Sequence, residues 1–181
     1  MTRSDFDEAI GYAKKGSCTD ILLSHVGGIV SSASCDNNKI MPFAVEAAWV
    51  TGRWDSLLKF KDRYEGDPNQ DFNISIGNMM ACLYNKSEAS RFSTALREAR
   101  DKIASAMSDT TTASLQSAHR LLLQCHVLTD LEMIVYSQTR DEDAQKKFMD
   151  CLNGRLSVMG ANYADKQYLL GIQRAAMELT R

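Results

Sequence analysis

A chain of 181 residues with 44% hydrophobic and 24% charged side chains has ample length for a buried core. Its net charge of −2, with Lys and Arg spread rather than clustered, argues against a nucleic-acid groove or an anionic membrane surface. No apolar run approaches the ~18 residues of a membrane span, and no signal-peptide core stands at the N-terminus, so the chain reads as soluble and intracellular.

Only two prolines, Pro42 and Pro68, interrupt the chain, which leaves long windows for helices. Ser4 with Asp7 and Glu8 reads as a cap followed by first-turn acids. The helix it opens carries Phe6, Ala9, Ile10 and Ala13 on one face and stops at Gly16. Ser17 or Thr19 caps a second helix with the stripe Ile21, Leu22, His25, Val26, Ile29 and Val30. Gly27-Gly28 within it costs roughly 1 kcal/mol per glycine relative to Ala. Ser31 to Asn38 is small and polar, a loop, with Pro42 expected near the first turn of the next helix.

The segment Glu46-Ala-Ala-Trp-Val-Thr-Gly-Arg-Trp54-Asp-Ser-Leu-Leu-Lys-Phe60 reads as one helix ending, a tight corner and a second helix doubling back. Trp49 and Trp54 are its large apolar members, with core packing the expected role for both. Gly52 suits the left-handed terminus of the first helix because it lacks a Cβ. Trp54, Leu57, Leu58 and Phe60 then restart a stripe at helical spacing.

Gly66 to Gln70 is a turn by composition. Asp71 reads as the cap of the following apolar helix, which carries Ile74, Ile76, Met79, Met80 and Leu83. A corner at Asn85-Lys-Ser-Glu88 follows, with Ser87 as N-cap, and Phe92, Leu96, Ala99 and Ile103 continue the stripe. The corners at Gly52 and Lys86 lie 34 residues apart, the length of a tetratricopeptide repeat.

Ser108 to Thr112 is a polar break before a helix striped by Leu115, Ala118, Leu122, Cys125, His126, Leu128 and Leu131 to Ile134. Ser137 to Glu142 breaks again, and acids Asp141 to Asp143 suit the positive end of a helix over 144–159. A last helix spans roughly 166–179. About nine helices and no strand predict an all-α fold, an α-α superhelix (solenoid) of tetratricopeptide-like antiparallel hairpins. The expected hairpins are 4–33, 41–65, 71–106 and 113–160, with the final helix standing alone.

Chemistry finds little support. Five widely spaced cysteines without a C-x-x-C pair read as free thiols of a reducing compartment. A zinc site from His119, Cys125 and His126 lacks a second ligand pair, and adjacent Cys125 and His126 point about 100° apart on a helix. Asp71-Phe-Asn73 and His119-Arg120 resemble kinase motifs, but in the wrong order and without a Gly-rich loop. No P-loop, nucleophile elbow, zinc-protease or calcium-loop motif is present. No catalytic, cofactor-binding or metal-binding residue is assigned. Arg155 and Arg174 stand as candidate interface ion-pair residues or as plain solvated positions.

The order of motifs carries a resemblance. Residues 45–60 are similar to a helical hairpin of the FAT region of phosphatidylinositol-3-kinase-related protein kinases. Phe92-Ser-Thr-Ala-Leu-Arg-Glu-Ala-Arg100 resembles its next piece. Leu123-Gln-Cys-His126-Val-Leu128-Thr-Asp-Leu131-Glu132 resembles a leucine–histidine–x–leucine–x–x–leucine–glutamate pattern. Arg155-Leu156 through Leu169-Leu-Gly-Ile-Gln-Arg174-Ala-Ala resembles a stretch that opens on arginine–leucine and closes on leucine–arginine–arginine–alanine. This chain has Gln173 where the first of those arginines is usual, so an ion pair made there is not carried over.

The resemblance covers residues 18–181 and is nearest to ATR-type checkpoint kinases. It implies a non-catalytic helical scaffold from a giant nuclear serine/threonine kinase of replication-stress signalling. The implied partners are the rest of the kinase, an ATRIP-type subunit and a second copy, with no direct nucleic acid and no membrane. The alternative is a stand-alone tetratricopeptide-like adaptor that binds a peptide. Such an adaptor needs Lys, Arg and Asn on its inner helices, where this sequence is mostly apolar or small.

Overall fold

The computed structural model describes residues 37–67, 71–109, 114–137, 141–160 and 162–181. These form seven α-helices and no strand, an all-α fold of the helical-solenoid class. The expected hairpin 4–33, its glycine pair and the turn at Pro68 lie outside the described residues. The chain divides into two compact units, the first ending at Ala81 and the second running from Cys82 to Arg181.

The first unit holds α1 (Asn37–Val50), α2 (Trp54–Asp62) and most of α3 (Phe72–Tyr84). α1 and α2 pack as an antiparallel hairpin, and the Glu65 N–H donates to Asn38 Oδ1 at 3.1 Å across its open end. Gly52 sits at the corner with φ of 69°. The Arg53 N–H reaches back to the Ala48 carbonyl (2.9 Å) and the Gly52 N–H to that of Trp49 (3.4 Å). That pair of bonds is a Schellman motif, which satisfies carbonyls the helix end would otherwise orphan.

Trp49 is 1% exposed and Leu57 equally buried, whereas Trp54 is only half-buried. The two indoles therefore do different work: one is core, the other a cover. α1 starts at Asn37, so Asn38 is helical rather than part of a loop, and Pro42 lies inside the helix instead of near its start. Burial of Ile40 and Met41 explains the difference. Core packing of the turn before the proline outweighs the hydrogen bond its ring forfeits.

Asp71 caps α3, accepting from the N–H groups of Asn73 (2.8 Å) and Ile74 (3.3 Å). Asn73 then donates to Glu46 Oε2 on α1 at 2.8 Å. One turn on, a Cβ added to Gly77 would collide with Val45 Cγ1. A bare backbone at 77 is what lets α3 lie this close to α1, because a β-branched valine has little freedom to move aside.

The second unit holds the last turn of α3, then α4 (Ala89–Asp109), α5 (Leu115–Tyr136), α6 (Glu142–Val158) and α7 (Tyr163–Thr180). The corner after α3 repeats the first one. Lys86 takes the left-handed place at φ 47°, with Ser87 N–H bonded to Cys82 O (2.9 Å) and Lys86 N–H to Leu83 O (3.1 Å). The Ser87 backbone thus closes the preceding helix, while α4 begins at Ala89. α4 also runs through Ser108 and Asp109, into the expected break.

α5 packs along both α4 and α7. Phe92 on α4 meets Tyr136 edge-on at 6.2 Å, and Arg100 meets Glu132, so α4 and α5 are antiparallel. His119 meets Asp165 and Asp130 meets Gln173, so α5 and α7 run parallel. The α5 stripe departs from expectation at its start. Leu115 and Leu122 are exposed, and Leu121, Val127, Leu128, Leu131 and Ile134 form the buried face.

The two corners yield opposite mutational outcomes. Gly52→Ala forces a Cβ into the left-handed region and should lower stability by about 1–2 kcal/mol. Lys86→Gly removes that strain and should raise it by about 0.5–1 kcal/mol. Urea denaturation of both variants checks the pair.

Candidate functional site

Asp130 lies on the buried face of α5 between Leu128 and Leu131, with no exposed surface. A carboxylate there is tolerable only if both oxygens are satisfied. Each has a partner from a different helix. Arg155 Nε on α6 donates to Oδ1 at 2.5 Å, and Gln173 Nε2 on α7 donates to Oδ2 at 2.7 Å.

Arg155 extends the cluster back along α5. Its Nη2 donates to the His126 carbonyl (3.3 Å) and lies 3.0 Å from His126 Nδ1. A guanidinium can only donate, so Nδ1 is the acceptor and the ring proton sits on Nε2. His126 and Asp130, one helical turn apart, therefore grip one arginine between them. Arg155 keeps 24% of its side chain exposed at the edge of the cluster.

A second ionic tie joins α4 to α5. Arg100 donates from both terminal nitrogens to the two Glu132 oxygens, at 3.1 and 2.6 Å. The hydrogen bond from Arg100 holds the Glu132 carboxyl below the usual glutamate range, and the same bond raises the Arg100 guanidinium. Both side chains are about two-fifths exposed, so solvent screens the pair and it contributes only about 0.2–1 kcal/mol. The Asp130 carboxylate, fully buried with both oxygens bonded, is the stronger constraint.

The residues singled out from the sequence fall in distinct places. Arg155 is drawn inward to Asp130, whereas Arg174 is exposed on α7. Gln173, where the resemblance implies an arginine, is buried on α7 and its carboxamide reaches the carboxylate. His119 pairs with Asp165 at 2.6 Å and His126 with Arg155. No group of three or more metal-ligating side chains assembles among the described residues. Cys82, Cys125 and Cys151 form no disulfide.

Asp130 is a structural residue that the sequence patterns do not single out. The available signal is an aspartate framed by leucines on an apolar helix face, a charge that burial obliges to find a cation. Its partners lie 25 and 43 residues away, and no local spacing rule connects them. What the arrangement does is mechanical: it fixes α5, α6 and α7 to one another at a single point.

Asp130→Ala strands the Arg155 guanidinium and the Gln173 amide and should cost about 3–5 kcal/mol, whereas Asp130→Leu combined with Arg155→Met and Gln173→Leu should recover most of that loss. Chemical denaturation of single and triple variants measures it. For Glu132 the folded pKa is depressed, so its contribution is present above the unfolded value and is lost as pH falls through the folded one. The stability gap between the parent and Glu132→Gln should therefore close below roughly pH 4–4.5. Melting curves across pH 3–7 should show a gap of about 0.5 kcal/mol at neutrality.

The comparisons with known proteins agree with this mechanical picture. A family model described as the FAT domain matches residues 41–181. No curated protein and no solved structure matches the chain. The FAT domain is a helical scaffold region of phosphatidylinositol-3-kinase-related kinases and is itself non-catalytic. The matched segment begins at Met41 in α1 and takes in every later helix, including all the residues of the Asp130 cluster. With that much of its length matched, the chain belongs to the FAT-domain family.

Proposed function

We propose that this chain is a scaffold segment of an ATR-type checkpoint serine/threonine kinase of the nucleus. It would act in replication-stress signalling by supporting the kinase domain, contacting an ATRIP-type subunit and lending surface to dimer contacts. The observation that carries the reading is the convergence of the quoted motifs. His126 and Asp130 from the third stretch, with Arg155 and Gln173 from the fourth, meet in one buried cluster. Arg100 closes the second stretch onto Glu132 of the third. Motif residues that bind one another support a load-carrying role.

The assignment to the ATR type rests on the order and spacing of the four motifs. A sister kinase of the family shares the fold class, so discrimination has to come from partner choice. Tagged chain mixed with purified ATRIP-type subunit should co-elute with it in size-exclusion chromatography, and the corresponding subunit of a sister kinase should not co-elute. In sedimentation velocity the chain alone should shift toward a dimer as its concentration rises. Absence of the ATRIP-type complex overturns the ATR-type assignment, and a monomer at every concentration overturns the dimer contacts.

A further inference from the structure

Helix α6 is attached unlike its neighbours. Of its 17 residues only Leu152 is buried, while α5 buries six side chains and α7 five. Extended backbone packing joins α5 to α4 and to α7, and none of comparable extent joins α6 to another helix among the described residues. Ala144, Phe148, Arg155 and Leu156 are half-buried.

α6 also carries what a helix needs to persist away from its neighbours. Asp141 caps it, accepting from the Asp143 N–H at 3.4 Å, with Glu142 and Asp143 in the first turn and Arg155 in the last. Those charges sit at the favourable ends of the helix dipole. Asp143 and Lys147, and likewise Lys146 and Asp150, are exposed at i,i+4 spacing, where opposite charges support an isolated helix. Gly154 has nothing within 4 Å of where its Cβ would stand, so the face it occupies is open.

From these observations we propose that α6 is a strap that undocks as a unit from α5 and α7 while those helices stay packed, with Arg155 as its latch. Arg155 is the residue through which α6 makes directed bonds to α5, three of them onto Asp130 and His126. Leu152 adds non-directional burial. The α5–α7 contact does not run through α6, because Gln173 keeps its own bond to Asp130 and His119 its own to Asp165. Helices of low burial and high solvent exposure open at lower free energy than the packed core around them. The inference stands on the second unit's own geometry and is independent of the kinase assignment.

Native-state hydrogen exchange on the full 181-residue chain tests it. Amides over 146–158 should exchange through an opening with less protection and a shallower urea dependence than amides over 127–134 and 172–176. Arg155→Gln should speed α6 exchange by roughly 10- to 100-fold, the loss expected for a hydrogen bond to a charged group, while α6 stays less protected and shallower in its urea dependence than α5 and α7. Arg174→Gln, on the exposed face of α7, should leave α6 exchange as it is. If α6 exchanges with the protection and urea slope of α5, it opens only with the whole unit and the strap is overturned. If α6 opens on its own but Arg155→Gln does not speed it, Arg155 is not the latch. Should Arg155→Gln unfold the unit outright, the urea series on the unaltered chain decides alone.

Discussion

The second unit is organised around one buried negative charge. Asp130 has no exposed surface, so its carboxylate is held by protein atoms or not at all. Oδ1 takes a guanidinium from α6 and Oδ2 a carboxamide from α7. Those two demands fix where the later helices can lie along α5. A slide of α7 by one turn, about 5.4 Å, would break the bond to Gln173 without offering another. Apolar contacts alone tolerate such slippage far better. In this unit the leucines supply the adhesion and the aspartate supplies the register.

The same division of labour runs through the other described helices. At the corners, two Schellman turns with left-handed residues at Gly52 and Lys86 set where helices reverse. Between α1 and α3, the absent side chain of Gly77 sets how near the backbones come, and Asn73 bonded to Glu46 sets their alignment. Each device is local in space, small in area and surrounded by unspecific burial. That is how stacked helical arrays fix position, with each element referenced mainly to its neighbours.

Legibility follows the range of the interaction. The corner at Gly52 can be read because one glycine between two apolar stripes is a strong local signal. Lys86 is reached through spacing, and Asp71 through its place before an apolar run, where its side chain can bond the next free N–H groups. The start of α1 misleads because proline usually marks a first turn, whereas burial of Ile40 and Met41 carries this helix through it. Periodicity misplaces the α5 stripe at Leu115 and Leu122 because leucine occupies nearly every turn on both faces of that helix. Composition does not say which leucines face inward. The Asp130 cluster is illegible for a different reason, since its members come from three helices and their meeting depends on packing that no periodicity encodes. Gln173 carries no charge, yet its amide donates a hydrogen bond to the carboxylate.

The parallel run of α5 and α7 has a topological consequence. A chain that must begin both helices at the same end needs a return path, and α6 is that path. It is covalently held at each terminus, so it cannot diffuse away from the surface it leaves. Re-engagement is intramolecular, with an effective concentration in the millimolar range for short tethers. A competitor arriving from solution meets a rival that is always present, and succeeds only if it binds that surface more tightly than the chain's own segment does at such a concentration.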